Sequence, residues 1–596
     1  MSYAMSEMYA PDNLISNAEK YPNEPAMSWK ESGQWVTMTW SQYLDYTMDI
    51  AKAMIAMGFE AGDHSAVFSY NRAEWYGAAH AAMCCGGSNA GAYHTSSSEE
   101  VEHVIGNSDA KIVFLGGNPM DGGITEKKCS YRLSRVLPNL DKVEKVVVMD
   151  GIDMPNDHRV VSWSDFIASG SGVPDSAVHE RISAIGADDL AALVYTSGTS
   201  GPAKGVMSTH GNFAFEISAV SKLQSYNRGD GYVSWMPLAH TFGAAVDLIG
   251  WPYFGFHMRV VDGPLNSVDY MKECQGALFV SVPRLYEKIY SQLVAGLGGK
   301  VKLLPVPVLG GIIKKKAKEK IGFSNVVFAI TGAAPISTDI LNLFHKLDIP
   351  LYEGYGLTET TAGATIGHHT ANKIGSVGKA FEGTEIKIAD NGEILIRGPH
   401  IMKGYYKDPE ATAEVMDGDW FKSGDIGRLD DDGFLYITGR IKEIFVSSGG
   451  KNIPPLLVEE TMKSIPIISQ CVLIGDARKY CSALMTLDVG VILRDKFGLD
   501  GATEVPKNPV DQIAKLSELG HDLSEFTDSA EVRAEIDAEV QRLNQKFSNP
   551  EQIKKFTILP RDLDIDKGEV TATLKLRRKQ INENWADEIE AMYADA

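Results

Sequence analysis

Tyr195-Thr-Ser-Gly-Thr-Ser-Gly-Pro-Ala-Lys-Gly205 follows directly on the apolar run Leu190 to Tyr195, and this passage from strand to loop decides how the chain is read. The loop packs four Ser or Thr residues, three glycines and one lysine into a short span. Glycines let backbone N–H groups approach oxygen atoms, hydroxyls donate further hydrogen bonds, and Lys204 adds a point charge. Such a loop suits a polyphosphate, with a solvated Gly/Ser turn as the bland alternative. The Walker pattern requires its second glycine to be followed directly by Lys and then Ser or Thr. Gly201-Pro-Ala-Lys204-Gly205 does not match it, so a different nucleotide loop is expected.

Outward from the loop, the first 350 or so residues alternate amphipathic helical stretches with short apolar runs, the pattern of helices covering a mostly parallel sheet. Buried strands are expected at Lys111 to Leu115, Val143 to Met149, Leu190 to Tyr195, Ala277 to Val282 and Val326 to Ile330. A helix is expected over Ser41 to Phe59, with Leu44, Met48, Ala51 and Ile55 on one face and Ser41 as its cap. From about Gly375 the texture turns to short strands with turn signals at Asn391-Gly392 and Asp432-Gly433, which reads as a β-rich portion. A smaller region follows, with strands near Gln470 to Ile474 and Ala483 to Leu487. Its late helix carries Val532, Ile536, Val540, Leu543 and Phe547 at helical spacing. The expected architecture is α/β: a large N-terminal domain over residues 1–438 and a small mobile α+β C-terminal domain over residues 439–596.

Composition narrows the function. The chain has 596 residues, 44% of them hydrophobic, enough for a large core in more than one domain. Its net charge of −21 argues against nucleic acid as a partner, since phosphate binding needs a basic face. The six cysteines form no CxxC pair, which points away from disulfides and zinc and toward a reducing, cytoplasmic location. The N-terminus lacks a basic segment followed by an apolar run, and no apolar stretch reaches 18 residues, so neither a leader nor a membrane span is expected. Peripheral contact with an intracellular membrane stays open, because Lys314-Lys-Lys-Ala-Lys-Glu-Lys320 lies beside the apolar stretch Leu303 to Ile313. A solvated lysine face is the alternative.

Further motifs follow the loop in order: Trp235-Met-Pro-Leu-Ala-His240, Thr331-Gly-Ala-Ala-Pro335, Tyr352-Glu-Gly-Tyr-Gly-Leu-Thr-Glu359, Trp420-Phe-Lys-Ser-Gly-Asp425, Gly439-Arg-Ile-Lys-Glu443 and Gly568-Glu-Val-Thr-Ala-Thr-Leu-Lys575. With the loop, they make the chain resemble the acyl- and aryl-adenylate-forming superfamily of acyl-CoA synthetases, luciferases and peptide-synthetase adenylation domains. The resemblance spans nearly the whole chain. Within that superfamily it is nearest to the long-chain fatty acyl-CoA synthetases of the bubblegum type, on Val282-Pro-Arg-Leu-Tyr-Glu-Lys288, Gly449-Gly-Lys-Asn-Ile-Pro-Pro455 and Leu473-Ile-Gly-Asp-Ala-Arg-Lys479.

The resemblance implies ATP, Mg²⁺ and coenzyme A as reactants and cofactors, and a fatty acid, long-chain for preference, as the acid. It gives Thr196, Ser197, Gly198, Thr199, Ser200, Gly201 and Lys204 to the phosphates, with Thr199 also catalytic. Gly332, Ala333, Ala334, Gly354, Tyr355, Gly356, Leu357 and Thr358 would frame the adenine, as small residues beside an aromatic ring. Asp425 would accept from the ribose hydroxyls, and Arg440 would reach ribose or phosphate oxygens. Glu359, with Ser197, would hold magnesium, a hard cation that suits oxygen donors. His240 would lie near the acyl carboxylate, although a lone histidine also serves structure. Lys575 would neutralise charge at the α-phosphate, while Arg577, Arg578 and Lys579 read as a solvated basic face. Gly449, Gly450 and Lys451 would approach the pantetheine of coenzyme A after the C-terminal domain rotates about Gly439, where related chains often hold Asp. An aryl- or medium-chain acid ligase, or a non-catalytic lipid-binding relative, are the competing readings.

Overall fold

The computed structural model describes residues 9–196, 201–448, 451–501, 504–565, 567–571 and 575–594. Among them, nine strands form one sheet, whose centre runs Leu351–Tyr355, Phe328–Thr331, Leu278–Ser281, Gly231–Ser234, His257–Val260 and Pro25–Glu31, all parallel. A second sheet of eight strands has a parallel centre of Leu190–Tyr195, Ser88–Ala92, His64–Phe68, Ala110–Leu115, Lys145–Val148 and Val160–Ser162. The five strands expected from the sequence are present, Leu190–Tyr195 with the expected ends and the other four with shifted ends. Buried on both faces, they read as apolar runs for that reason.

Helices Trp40–Ala56 and Ala73–Cys84 pack closely in this core. The second is buried on every side, which its Ala-rich sequence allows. A side chain on Gly77 would come within 2.5 Å of the Ile50 side chain, so the close approach requires glycine. The first helix is capped two residues earlier than expected. Thr39, not Ser41, accepts from the backbone N–H of Gln42, and the Gln42 side chain accepts from the Thr39 N–H at 2.9 Å. A capping box needs a side-chain acceptor three residues on, which Thr39 has in Gln42. The buried face also turns, to Tyr43, Thr47, Ile50 and Met54, leaving Leu44 and Ile55 half-buried.

The Asn391-Gly392 and Asp432-Gly433 signals are turns between antiparallel strands: Glu385–Ile388 with Glu393–Arg397, and Trp420–Leu429 with Leu435–Arg440. The boundary expected at residue 439 falls inside the last of these strands. From Ile453 onward, buried side chains form cores of their own around a sheet of Ile468–Ile474, Cys481–Leu487 and Ile553–Ile558. Helix Ala530–Asn544 buries Val532, Ile536, Val540 and Leu543 there, with Phe547 packed beyond its end. The fold is therefore α/β with a smaller C-terminal domain. No helix among the described residues is long and apolar enough to cross a membrane.

The run from Phe242 to Phe256 forms a π-helical stretch, Ala244–Gly250, continued by Trp251–Phe254 and ended at Gly255 with φ +66°. Asp247 lies fully buried within it. Its Oδ1 accepts from the Tyr232 hydroxyl at 2.5 Å, and its Oδ2 accepts from the Ser234 hydroxyl. Burial raises its pKa to about 7, against the lowering effect of these hydrogen bonds. A folded pKa above the unfolded one gives stability that is present in acid and lost as pH rises through about 7. Asp247→Asn removes the titration, so the melting temperature of the variant relative to the native chain should climb between about pH 5 and about pH 8. Parallel melting profiles across that range would rule out this role.

Candidate active site

Parallel strands deliver their C-terminal ends to one side of a sheet, where open α/β folds place ligands. His240 follows strand Gly231–Ser234, Gly332 follows Phe328–Thr331, and Tyr355 ends Leu351–Tyr355. The phosphate-loop candidate joins Leu190–Tyr195 to Gly205–Thr209, which pair antiparallel. Its neck is closed by Thr196 N–H donating to the Lys204 carbonyl at 3.0 Å and Lys204 N–H donating to Thr196 Oγ1 at 3.3 Å. Ser197, Gly198, Thr199 and Ser200 lie outside the described residues. The Lys204 ammonium sits 4.7 Å from the centre of the Tyr405 ring, and the Tyr405 hydroxyl donates to Glu359 Oε1 at 2.7 Å. One aromatic side chain thus spaces the loop lysine from the carboxylate.

Asp425 is 4% exposed, and both its oxygens are engaged. Arg440 Nε donates to Oδ1 at 2.7 Å and the Tyr355 hydroxyl donates to Oδ2 at 2.8 Å. The antiparallel register, Asp425 opposite Arg440, brings the charges together. The pair engages Arg440 through Nε, and Arg440 also lines the cavity. Gly332 lies close to the next strand: a side chain there would meet the Gly354 carbonyl oxygen at 3.1 Å. Gly356 is tighter still, with the Ala362 carbonyl oxygen at 2.2 Å from such an atom. Ala333 takes φ +68°, a left-handed conformation that non-glycine residues seldom hold and that concentrates at functional sites.

His240 Nδ1 accepts from the Phe242 N–H at 3.2 Å, capping a short helical turn. That bond puts the ring proton on Nε2. Burial first, and Lys575 second, lower its pKa to about 3, so the ring is neutral near pH 7 and presents an N–H donor. Lys575 arrives from the C-terminal domain on a turn in which Thr571 N–H donates to the Lys575 carbonyl at 2.9 Å and Lys575 N–H donates to Thr571 Oγ1 at 3.1 Å. Burial and the nearby Arg440 lower the Lys575 pKa, while Glu359, Asp425 and Glu443 act in the opposite sense.

These groups line one cavity of about 1790 Å³, which takes in Thr196, Gly201, Lys204, His240, the Gly332 and Tyr355 turns, Glu359, Asp425, Arg440 and Lys575. Lys451 stands apart. Its ammonium donates to Ser548 Oγ at 2.7 Å on the outside of the C-terminal domain, and Gly449 and Gly450 lie outside the described residues. Arg577 and Arg578 are not the solvated face expected from the sequence. Arg577 pairs with Glu100 of the large domain at 2.6 Å, and Arg578 grips Glu459 through two bonds of 2.7 Å. A guanidinium fork beside a buried carboxylate forms this bidentate bond, which a run of basic letters does not reveal.

The AMP-binding enzyme family matches residues 14–406, and the AMP-binding enzyme C-terminal domain family matches residues 514–596. The chain belongs to the AMP-binding enzyme family. It is 31% identical to FadD15 of Mycobacterium bovis, a long-chain-fatty-acid–CoA ligase, over 94% of this chain and 93% of that one. It is also 31% identical to ACSBG2 of Gallus gallus, another long-chain-fatty-acid–CoA ligase, over 97% of this chain and 80% of that one. Among solved structures, the O-succinylbenzoate CoA synthetase of Bacillus subtilis in complex with ATP and magnesium ion matches with a TM-score of 0.64 at 20% identity, covering 95% and 98% of the two chains.

Sequence motifs did not point to Tyr405 or to the buried carboxyl of Glu216, which also line the cavity, and Glu353, inside the Tyr352 to Glu359 motif, was given no role. Tyr405 stands in an unremarkable Gly-Tyr-Tyr and gains its role only by strand pairing beside the loop. For this family the Asp425 arrangement predicts nucleotide affinity. Asp425→Ala should weaken AMP binding by more than tenfold in calorimetry, since hydrogen bonds to a charged group are worth about 1.5–3 kcal/mol each. Tyr355→Phe should cost less, and unchanged affinity in Asp425→Ala would remove the ribose assignment.

Proposed function

We propose that the protein is a long-chain fatty acid–CoA ligase that forms AMP. The observation that carries the reading is Lys575, delivered by the C-terminal domain into the cavity that holds Arg440, Asp425 and Glu359. The acid's carboxylate oxygen attacks the α-phosphorus of ATP, a P–O bond to pyrophosphate breaks, and an acyl-adenylate remains. Lys575 and Arg440 neutralise charge on the phosphate oxygens, and the neutral His240 offers a donor to the carboxylate. Coenzyme A then attacks the acyl carbonyl through its thiolate, and AMP leaves.

Glu359 fits magnesium. Its Oε1 accepts from Tyr405, and no other hydrogen bond holds the side chain among the described residues. No cluster of three or more His, Cys, Asp or Glu side chains gathers there among the described residues, which suits a hard cation that keeps water and phosphate oxygens around one carboxylate. Bound there, it would supply charge to the phosphates.

The second step calls for rotation of the C-terminal domain, which would withdraw Lys575 and bring Ser448-Gly-Gly-Lys-Asn452 toward the pantetheine. A weak domain interface supports this: Glu100–Arg577, Arg284–Asp488 and Asp269–Lys507 are partly exposed ion pairs. Each is worth about 1 kcal/mol or less. Free cysteines at all six positions support a cytoplasmic location.

Purified enzyme with ATP, Mg²⁺, coenzyme A and fatty acids of increasing length should yield AMP and acyl-CoA together, with highest kcat/KM for long chains. Lys575→Ala should lose adenylation by several orders of magnitude yet make thioester from supplied acyl-AMP. Equal loss of both half-reactions would reject the role of Lys575, and preference for aryl or short acids would reject the chain-length reading.

Membrane contact belongs to the same proposal. Val308 is 82% exposed at φ +64°, and Leu309 and Ile312 are also exposed at the start of helix Leu309–Ile321. Lys315, Lys316, Lys318 and Lys320 follow on that helix, a charge pattern complementary to anionic lipid. The protein should sediment with phosphatidylserine vesicles, and Val308→Glu with Ile312→Glu should release it. Equal binding of native and variant chains would reject this surface.

A further inference from the structure

Helix His210–Ser221 carries a glutamate on its buried side. Glu216 is 5% exposed, and its Oε2 has no hydrogen-bond partner. Among the described residues no hydrogen bond or ion pair engages either oxygen of this side chain. Burial, with no cation in reach, raises its pKa well above the usual carboxylate range. Burial favours the protonated form, which can donate through its hydroxyl and accept through its carbonyl oxygen.

Glu216 lines the same cavity as His240 and Lys575, among apolar neighbours that include Ile217, Val220, Val246 and Phe254. It stands close to the catalytic loop. A side chain on Gly363, four residues after Glu359, would come within 2.4 Å of Glu216 Oε1 and 2.7 Å of the Phe381 ring. Gly363 and Phe381 also line the cavity. The glycine therefore leaves room for the carboxyl between helix and loop. The wall runs on from His240 through the π-helical stretch Ala244–Gly250, whose Ala245, Val246 and Gly250 face the cavity.

A plain hydrocarbon chain along this wall would leave the carboxyl unsatisfied, and leaving a buried polar group unpaired is costly. A chain bearing a hydroxyl at the facing carbon would satisfy it in both directions. We propose that Glu216 is a specificity-determining residue that selects a hydroxylated acyl chain. This deepens the ligase reading above and rests on it. A site that hydrogen-bonds a substrate hydroxyl discriminates against the analogue lacking it, whereas a purely apolar wall distinguishes the two weakly.

The test compares hexadecanoic acid with its hydroxy isomers substituted along the chain, measured as kcat/KM for acyl-CoA formation. The native enzyme should favour at least one isomer by about tenfold or more. Glu216→Gln, which keeps a donor and an acceptor, should retain a preference, and Glu216→Met should bring the ratio to about one or below by raising activity on hexadecanoic acid. The proposal is overturned if no isomer exceeds hexadecanoic acid in the native enzyme, or if Glu216→Met leaves the ratio unchanged. Turnover of plain acids with no hydroxy preference overturns this inference alone. Absence of acyl-CoA with every acid overturns the ligase reading together with it.

Discussion

Arg440 and Lys575 share the cavity with the carboxylates Asp425 and Glu359, among its other charged groups. In a half-buried site each charge needs its partners, because desolvation disfavours any ion left alone. Asp425 meets this through Arg440 on the adjacent strand and through Tyr355. Lys575 has no such fixed partner within hydrogen-bonding distance among the described residues. Its ammonium is held by the field of Glu359, Asp425 and Glu443 against burial and Arg440. A cation balanced in this way gains most when phosphate oxygens arrive and loses little when its domain leaves.

That balance explains the character of the interface between the domains. Its ion pairs Glu100–Arg577 and Arg284–Asp488 are polar and partly exposed, while the apolar cores on either side are closed upon themselves. Contacts of this kind orient a domain without locking it. Gly439 contributes by proximity. Its backbone is not in the left-handed region, but a side chain there would meet the Pro454 ring at 2.8 Å. The segment after the strand folds back close against Gly439.

The periodicity of the chain revealed the fold wherever an element was buried on both faces, as at Leu190–Tyr195 and Phe328–Thr331. Boundaries set by a side chain several residues away were less visible, as the Thr39 and Gln42 box shows. Site residues were legible where chemistry demanded a rare combination within a few positions, as in the glycine-rich loop and in Asp425. Tyr405 and Arg578 were not, since their partners Glu359 and Glu459 lie 46 and 119 residues away. Glu216 hid for a related reason: within an apolar helix a single glutamate reads as solvent-facing, and only the packing shows that no solvent reaches it.

The cavity wall at Ala244–Gly250 follows from a constraint on the opposite face of the same segment. Strand residues Tyr232 and Ser234 hold Asp247, and the π-helical stretch around it widens the turn enough to seat that carboxyl in the core. Ala245, Val246 and Gly250 of this stretch line the cavity. A side chain at Gly250 would meet the Ala245 carbonyl oxygen and the Ile217 side chain at 3.3 Å each, so the stretch lies tight against the helix that carries Glu216. π-Bulges survive where function keeps them, because their hydrogen bonding is poorer than that of an α-helix. Here the bulge is anchored on its buried side by polar contacts and faces the cavity with small apolar ones. The π-helical segment that lines the cavity is thus anchored by a hydrogen-bond network on its buried side.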